Sequence, residues 1–156
     1  MIVVADTSPI NYLVLTQYID VLPRLYRRVL IPTAVERELL HTKTPQAVRT
    51  WIANPPGWIE VRSVNYAVDP SMADLDSGEA EAIYLAEEVL AHQIIVDETF
   101  GRRIAESRGL QVIGTLGILK EAAQRNLLDF REAVGRLQKT RFHIARRIID
   151  EMLADI

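Results

Sequence analysis

Two apolar runs in this chain end directly in an acid. Val3-Val4-Ala5 leads into Asp6, and Ile94-Ile95-Val96 leads into Asp97. In open parallel sheets, ligands bind beyond the carboxyl ends of the strands, so both acids stand where chemistry is usually placed. Two glutamates add to them. Glu79 follows Asp76-Ser77-Gly78 at the start of an amphipathic stretch, and Glu38 lies in an apolar-rich helix after Pro32. Each has a structural explanation of its own. Asp97 has the position of a cap for a helix starting at Glu98 or Thr99. Asp76 and Glu79 have capping-box spacing. A glutamate such as Glu38 on a helix is usually solvated. Asp6 is the exception, because Ser8 and Pro9 already supply a helix start.

Taken together, the four acids imply more than each alone. Carboxylates that converge raise one another's pKa unless a cation lies between them. An all-oxygen donor set without cysteine suits Mg²⁺ or Mn²⁺. Such ions polarise phosphates and activate water. Asp76 and Glu81 stand near the favoured acids, and the pattern leaves open whether either joins them.

The elements that must position these groups follow from periodicity and punctuation. Short apolar runs at 2–5, 29–31, 59–64, 93–96 and 111–113 read as strands. Between them lie expected helices: 11–26 with a break before Pro23, one opened by Pro32, one from Thr44-Pro45 to about 53, 76–91 and 99–108. Residues 65–73 read as a loop. After the turn Gly114-Thr115-Leu116-Gly117, helices are expected from Ile118, over 130–137 and over 143–153. Alternating strands and helices predict an α/β domain: a three-layer α/β/α sandwich with a central, mostly parallel sheet. One domain spans 1–156, with a core of about 1–120 and a helical C-terminal appendage.

Composition narrows the function classes. With 49% hydrophobic residues the chain is not disordered, and the absence of cysteine excludes disulfides, zinc–thiolate sites and cysteine catalysis. The N-terminus lacks a basic region ahead of its apolar run, no stretch is long enough to span a bilayer, and a cytoplasmic location is expected. Net charge is −3, yet residues 120–147 carry eight basic and three acidic side chains. An acidic remainder beside a basic segment suits an enzyme that holds cations in one place and a polyanion in another. His41, His92 and His143 are scattered and read as surface or structural.

The ordered motifs Val4-Ala5-Asp6-Thr7-Ser8, Ile31-Pro32 through Glu38-Leu39, Gly78-Glu79-Ala80-Glu81-Ala82-Ile83 and Ile95-Val96-Asp97 with Phe100 resemble those of the PIN-domain family, and within it the VapC-type toxins. The third motif has glutamate where many members have aspartate, and the threonine common before the fourth acid is missing. The resemblance covers about residues 2–118. It implies a metal-dependent ribonuclease, with Asp6, Glu38, Glu79 and Asp97 holding one or two Mg²⁺ or Mn²⁺ ions. It also implies Thr7 or Ser8 orienting Asp6 or a metal-bound water, and Asn11 facing the pocket. Arg102 and Arg103 would neutralise phosphate. Thr115 would either meet phosphate at a helix N-terminus or cap its own helix. A homodimer and a small antitoxin are the implied protein partners, RNA the implied substrate. The apolar positions Leu127, Leu128, Phe130, Val134, Leu137, Ile144, Ile148, Ile149 and Leu153 are expected to supply a dimer seam or antitoxin groove. A stand-alone RNA-processing nuclease and a non-catalytic binding module of the same fold are the alternatives. A haloacid-dehalogenase phosphatase would need an acid at position 8, where Ser8 stands. A receiver domain would need an acidic pair, where Asp6 is single.

Overall fold

The computed structural model describes residues 1–67 and 69–156. Among them, five strands form one parallel sheet in the order β3-β2-β1-β4-β5. The strands are β1 Ile2–Ala5, β2 Arg28–Pro32, β3 Ile59–Arg62, β4 Gln93–Ile95 and β5 Val112–Ile113. The chain builds outward from β1 to β3, then crosses back to lay β4 on the free side of β1. Registers Val3↔Val29 and Val4↔Ile94 fix β1 between β2 and β4. The gap between β1 and β4 is therefore the topological switch point, where a crevice opens at the strands' carboxyl ends.

Alternation along each strand splits the core into two layers. Val3, Ala5, Val29, Ile31 and Ile95 face one side, where α1 (Thr7–Leu15), α4 (Gln46–Ala53), α7 (Thr115–Gln124) and α8 (Phe130–Gln138) pack. Val4, Leu30, Ile94 and Val96 face the other, covered by α5 (Ser77–Glu88) and α6 (Thr99–Ser107). Helix α3 (Thr33–Leu39) buries Val35 and Leu39 with the first layer. At about 25 cal/mol per Å² of apolar surface, burial on both faces is what holds so short a sheet together.

Of the C-terminal helices, α8 sinks Phe130, Ala133, Val134 and Leu137 into the core. Helix α9 (Arg146–Ala154) has no fully buried residue and rests on the surface through Ile149, Met152 and Leu153. No described helix is long and apolar enough to cross a membrane.

Several element boundaries differ from expectation, for identifiable reasons. Helix α1 starts at Thr7, with Asp6 rather than Ser8 at the cap position. Pro9 is the third helical residue, in the first turn where its missing N–H has no partner to lose. The break expected before Pro23 falls earlier, at Gln17, whose φ of 66° is left-handed. Pro23 instead sits in the first turn of the short helix α2, Leu22–Leu25. Helix α7 starts at Thr115, not Ile118, because a carboxylate from another element caps it. The expected loop 65–73 includes residue 68, outside the described residues, and contains a 3₁₀ turn at Pro70–Met72.

Candidate metal centre

Asp6 follows β1 directly, and its backbone N–H donates to the Ile95 carbonyl at 3.0 Å, tying it to β4 at the switch point. It occupies the cap position of α1, yet its side chain makes no capping bond. The carboxylate is 5% exposed, and Oδ1 is buried without a hydrogen-bond partner. Burial pushes its pKa up to about 7. The Thr7 amide offsets part of that rise, and the negative charges of Asp76, Glu38 and Asp97 add to it. A structural cap would show the opposite: satisfied oxygens and a lowered pKa.

Carboxylate oxygens of Asp6, Glu38 and Asp76 lie within 4.8 Å of one another. Glu38 comes from the end of α3. Its Oε2 accepts from the Thr7 hydroxyl and its Oε1 from the Gly78 N–H at 3.3 Å. Its pKa is raised, chiefly by burial. Asp76 comes from the cap of α5, where its Oδ1 accepts from the Glu79 N–H at 2.8 Å. The capping box thus has its expected cap, and the capping residue itself joins the acidic group.

Glu79 lines the same pocket, 8% exposed, with Oε2 buried and unpartnered. Burial, followed by the charge of Asp76, lifts its pKa to about 8. Two glycines make this crowding possible. A Cβ on Gly78 would run into the Glu38 carboxylate, and one on Gly101 would stand 2.5 Å from Glu79 Oε2. Glu98 completes the acidic lining and caps α6 by accepting from the Gly101 N–H at 2.8 Å.

Asp97 faces the neighbouring cleft, with Arg102 and His143 in its lining. The expected cap at α6 belongs to Glu98. Asp97 instead accepts from the Thr115 N–H at 2.7 Å, the Thr115 hydroxyl at 2.6 Å and the Ser8 hydroxyl at 3.3 Å. It thereby caps α7 across 18 residues of sequence. Burial raises its pKa against the pull of these donors and of Arg102.

The remaining expected residues fall as follows. Thr7 and Ser8 do orient acids, but those acids are Glu38 and Asp97, not Asp6. Asn11 lines the pocket. Thr115 is fully buried with its hydroxyl committed to Asp97, which leaves it no face for a phosphate. Arg102 leans on the Val96 carbonyl at 3.5 Å, beside Asp97, while Arg103 is exposed. Glu81 accepts from the Ala34 N–H at 3.1 Å, serving the first turn of α3 and standing apart from the acidic group. His92 and His41 accept backbone N–H bonds from Ile2 and Lys43.

In the sequence Asp76 is a cap that stands near the favoured acids, with its membership of the group left open. Its local signal is complete without a second role, so nothing within the motif distinguishes a cap from a cap that is also a ligand. Two buried orphan oxygens in a pocket lined by five acids fit a hard, oxygen-seeking divalent cation, which would relieve both the desolvation and the repulsion.

The comparisons with known proteins agree with this architecture. No curated protein matches the chain. A solved structure of a PilT N-terminus domain protein from the hyperthermophilic archaeon Sulfolobus solfataricus matches with a TM-score of 0.50. It covers 93% of this chain and all of its own, at 15% identity, a level that speaks to fold alone. The family model described as DUF3368, PIN domain, matches residues 2–156, and the chain belongs to that PIN-domain family.

Proposed function

We propose that the chain is a divalent-metal-dependent endoribonuclease hydrolysing phosphodiester bonds in RNA. The observation that carries this reading is the group of Asp6, Glu38 and Asp76 carboxylate oxygens within 4.8 Å of one another, with Asp6 Oδ1 buried and unpartnered. Asp6, Glu38 and Asp76 would hold Mg²⁺ or Mn²⁺, with Glu79 and Asp97 supporting from either side. Such a cation supplies a polarised phosphate oxygen and an acidified water. The protein's own groups do the rest. Thr7 holds Glu38 toward the pocket, and Ser8 and Thr115 fix Asp97. Glu79, with a carboxyl raised to about 8 by burial, is suited to hold a proton near neutral pH. Arg102, next to Asp97, is placed to offset phosphate charge.

The VapC-like motifs support a finer reading: a cytoplasmic toxin that forms a homodimer and is restrained by a small antitoxin. The burial of Phe130, Val134 and Leu137 favours the alternative of a stand-alone RNA-processing enzyme, because it removes three apolar positions from any seam. Cleavage of end-labelled single-stranded RNA tests the main reading. Mn²⁺ or Mg²⁺ should be required, EDTA should abolish cutting, and Asp6→Ala or Asp97→Ala should remove it while leaving a folded protein. Cleavage that persists in Asp6→Ala would overturn the assignment.

A further inference from the structure

A second cleft, of about 700 Å³, opens beside the acidic pocket. Its lining includes Lys43, Arg136, Lys139 and Arg141 and no carboxylate. Asn11 and Tyr12 line both cavities, so the basic cleft adjoins the acidic pocket. In a chain of net charge −3, four cations gathered without a lining acid are a local reversal of sign.

The surrounding structure holds these cations in place. Arg136 forms the fixed wall: Nη1 donates to the Thr16 carbonyl at 3.1 Å, Nη2 donates to Glu132 at 2.8 Å, and the guanidinium lies 4.9 Å from the Tyr18 ring. Phe142 packs edge-on against Tyr12 at 5.1 Å, which anchors the segment carrying Arg141 at the mouth. The Thr44 hydroxyl donates to the Glu38 carbonyl at 2.9 Å and fixes Lys43 at the border between the cavities. Among the described residues, Lys43, Lys139 and Arg141 form no ion pair. The arginines of α9 contrast with them: Arg147 faces Glu151 at 4.0 Å, and Arg146 shares a small cavity with Asp150.

We infer that the cleft between α1, the α3–α4 loop and the end of α8 binds the phosphate backbone of single-stranded RNA leading into the acidic pocket. This rests on the hydrolase reading above for the identity of the polyanion. An acidic peptide would satisfy the charge, but the wall shared with a pocket suited to a phosphate-polarising cation favours RNA. Cations that track a backbone beside an aromatic side chain, here Tyr12, are the common means of holding a single strand.

Fluorescence anisotropy of a labelled 12-nucleotide single-stranded RNA, in EDTA so that turnover is not needed, tests the inference. The full chain is compared with Lys43→Ala/Lys139→Ala/Arg141→Ala and with Arg146→Ala/Arg147→Ala on α9. Each lost phosphate contact flattens the salt slope by about 0.7, so the triple variant should lose about 2 of slope and roughly tenfold of affinity at low salt. The α9 pair should match wild type. A triple variant that binds like wild type, equal loss in the α9 pair, or displacement by oligoglutamate with no RNA binding would each overturn the inference. The hydrolase reading fails separately. RNA bound in this cleft but never cut with Mn²⁺ would sink that reading alone, and cutting unaffected by the triple change would sink only this one.

Discussion

At Gly78 the backbone of α5 comes so close to Glu38 that no side chain fits between them. The group in the way is the end of a flexible glutamate, so an added methyl would displace the carboxylate rather than the fold. Alanine is also the better helix former, by about 1 kcal/mol. Gly78→Ala should therefore leave the metal-free protein as stable as wild type or more so, while shrinking the rise in Tm on adding Mn²⁺. An unchanged Mn²⁺ response in this variant would mean that Glu38 does not touch the ion.

Protonation gives a second residue-scale test. Asp6 is raised from 3.8 to about 7 and Glu79 from 4.5 to about 8, so the folded chain binds protons more tightly than the unfolded one. Their contribution to metal-free stability is fully present below about pH 4 and is lost as pH rises through 7–8. Cations compete with those protons, so Mn²⁺ stabilisation should grow over the same interval. In EDTA, wild type should lose more Tm between pH 5 and pH 8 than Asp6→Asn does. Parallel curves would show that Asp6 does not titrate in this window. Legibility also differs from residue to residue. Asp6 stood out because the local sequence offered it no structural task. Asp76 stays ambiguous because it has one, and Asp97 has the position of a cap for the next helix but caps one 18 residues away.

Helix ends carry the site at the element scale. Asp76 caps α5 and also faces Asp6 and Glu38, so its two roles can be separated by choosing the replacement. Serine caps about as well as aspartate, whereas alanine costs about 1 kcal/mol. Asp76→Ser should keep the stability of the metal-free protein and lose Mn²⁺ affinity. Asp76→Ala should lose both, as read by denaturant midpoint and Mn²⁺ titration. If Asp76→Ser binds Mn²⁺ like wild type, the residue is a cap and nothing more. Helix ends are also where sequence and structure part company. Ser8-Pro9 imitated a helix start two residues late, and Gly114-Thr115-Leu116-Gly117 looked like a turn because its cap arrives from Asp97 through space. The strands were easier to read, since burial on both faces forces continuous apolar runs.

The whole molecule separates its charge. One end of the sheet gathers Asp6, Glu38, Asp76, Glu79 and Glu98, and the adjoining cleft gathers Lys43, Arg136, Lys139 and Arg141. The alternation of strand and helix made the α/β/α sandwich legible, and the excess of positive charge over 120–147 was legible too. Which of those cations work together was not, because Lys43 joins them from a distant loop while Arg146 and Arg147 turn elsewhere. In the proposed function, this charge separation serves a cation held by Asp6, Glu38 and Asp76. Calorimetric titration of Mn²⁺ into the metal-free chain at pH 7.5 decides whether they hold one. Saturable binding is expected in wild type, and Asp6→Asn and Glu38→Gln should each weaken it by at least about tenfold, a loss of roughly 1.4 kcal/mol. Equal Mn²⁺ affinity in wild type and both variants would mean that these carboxylates hold no ion.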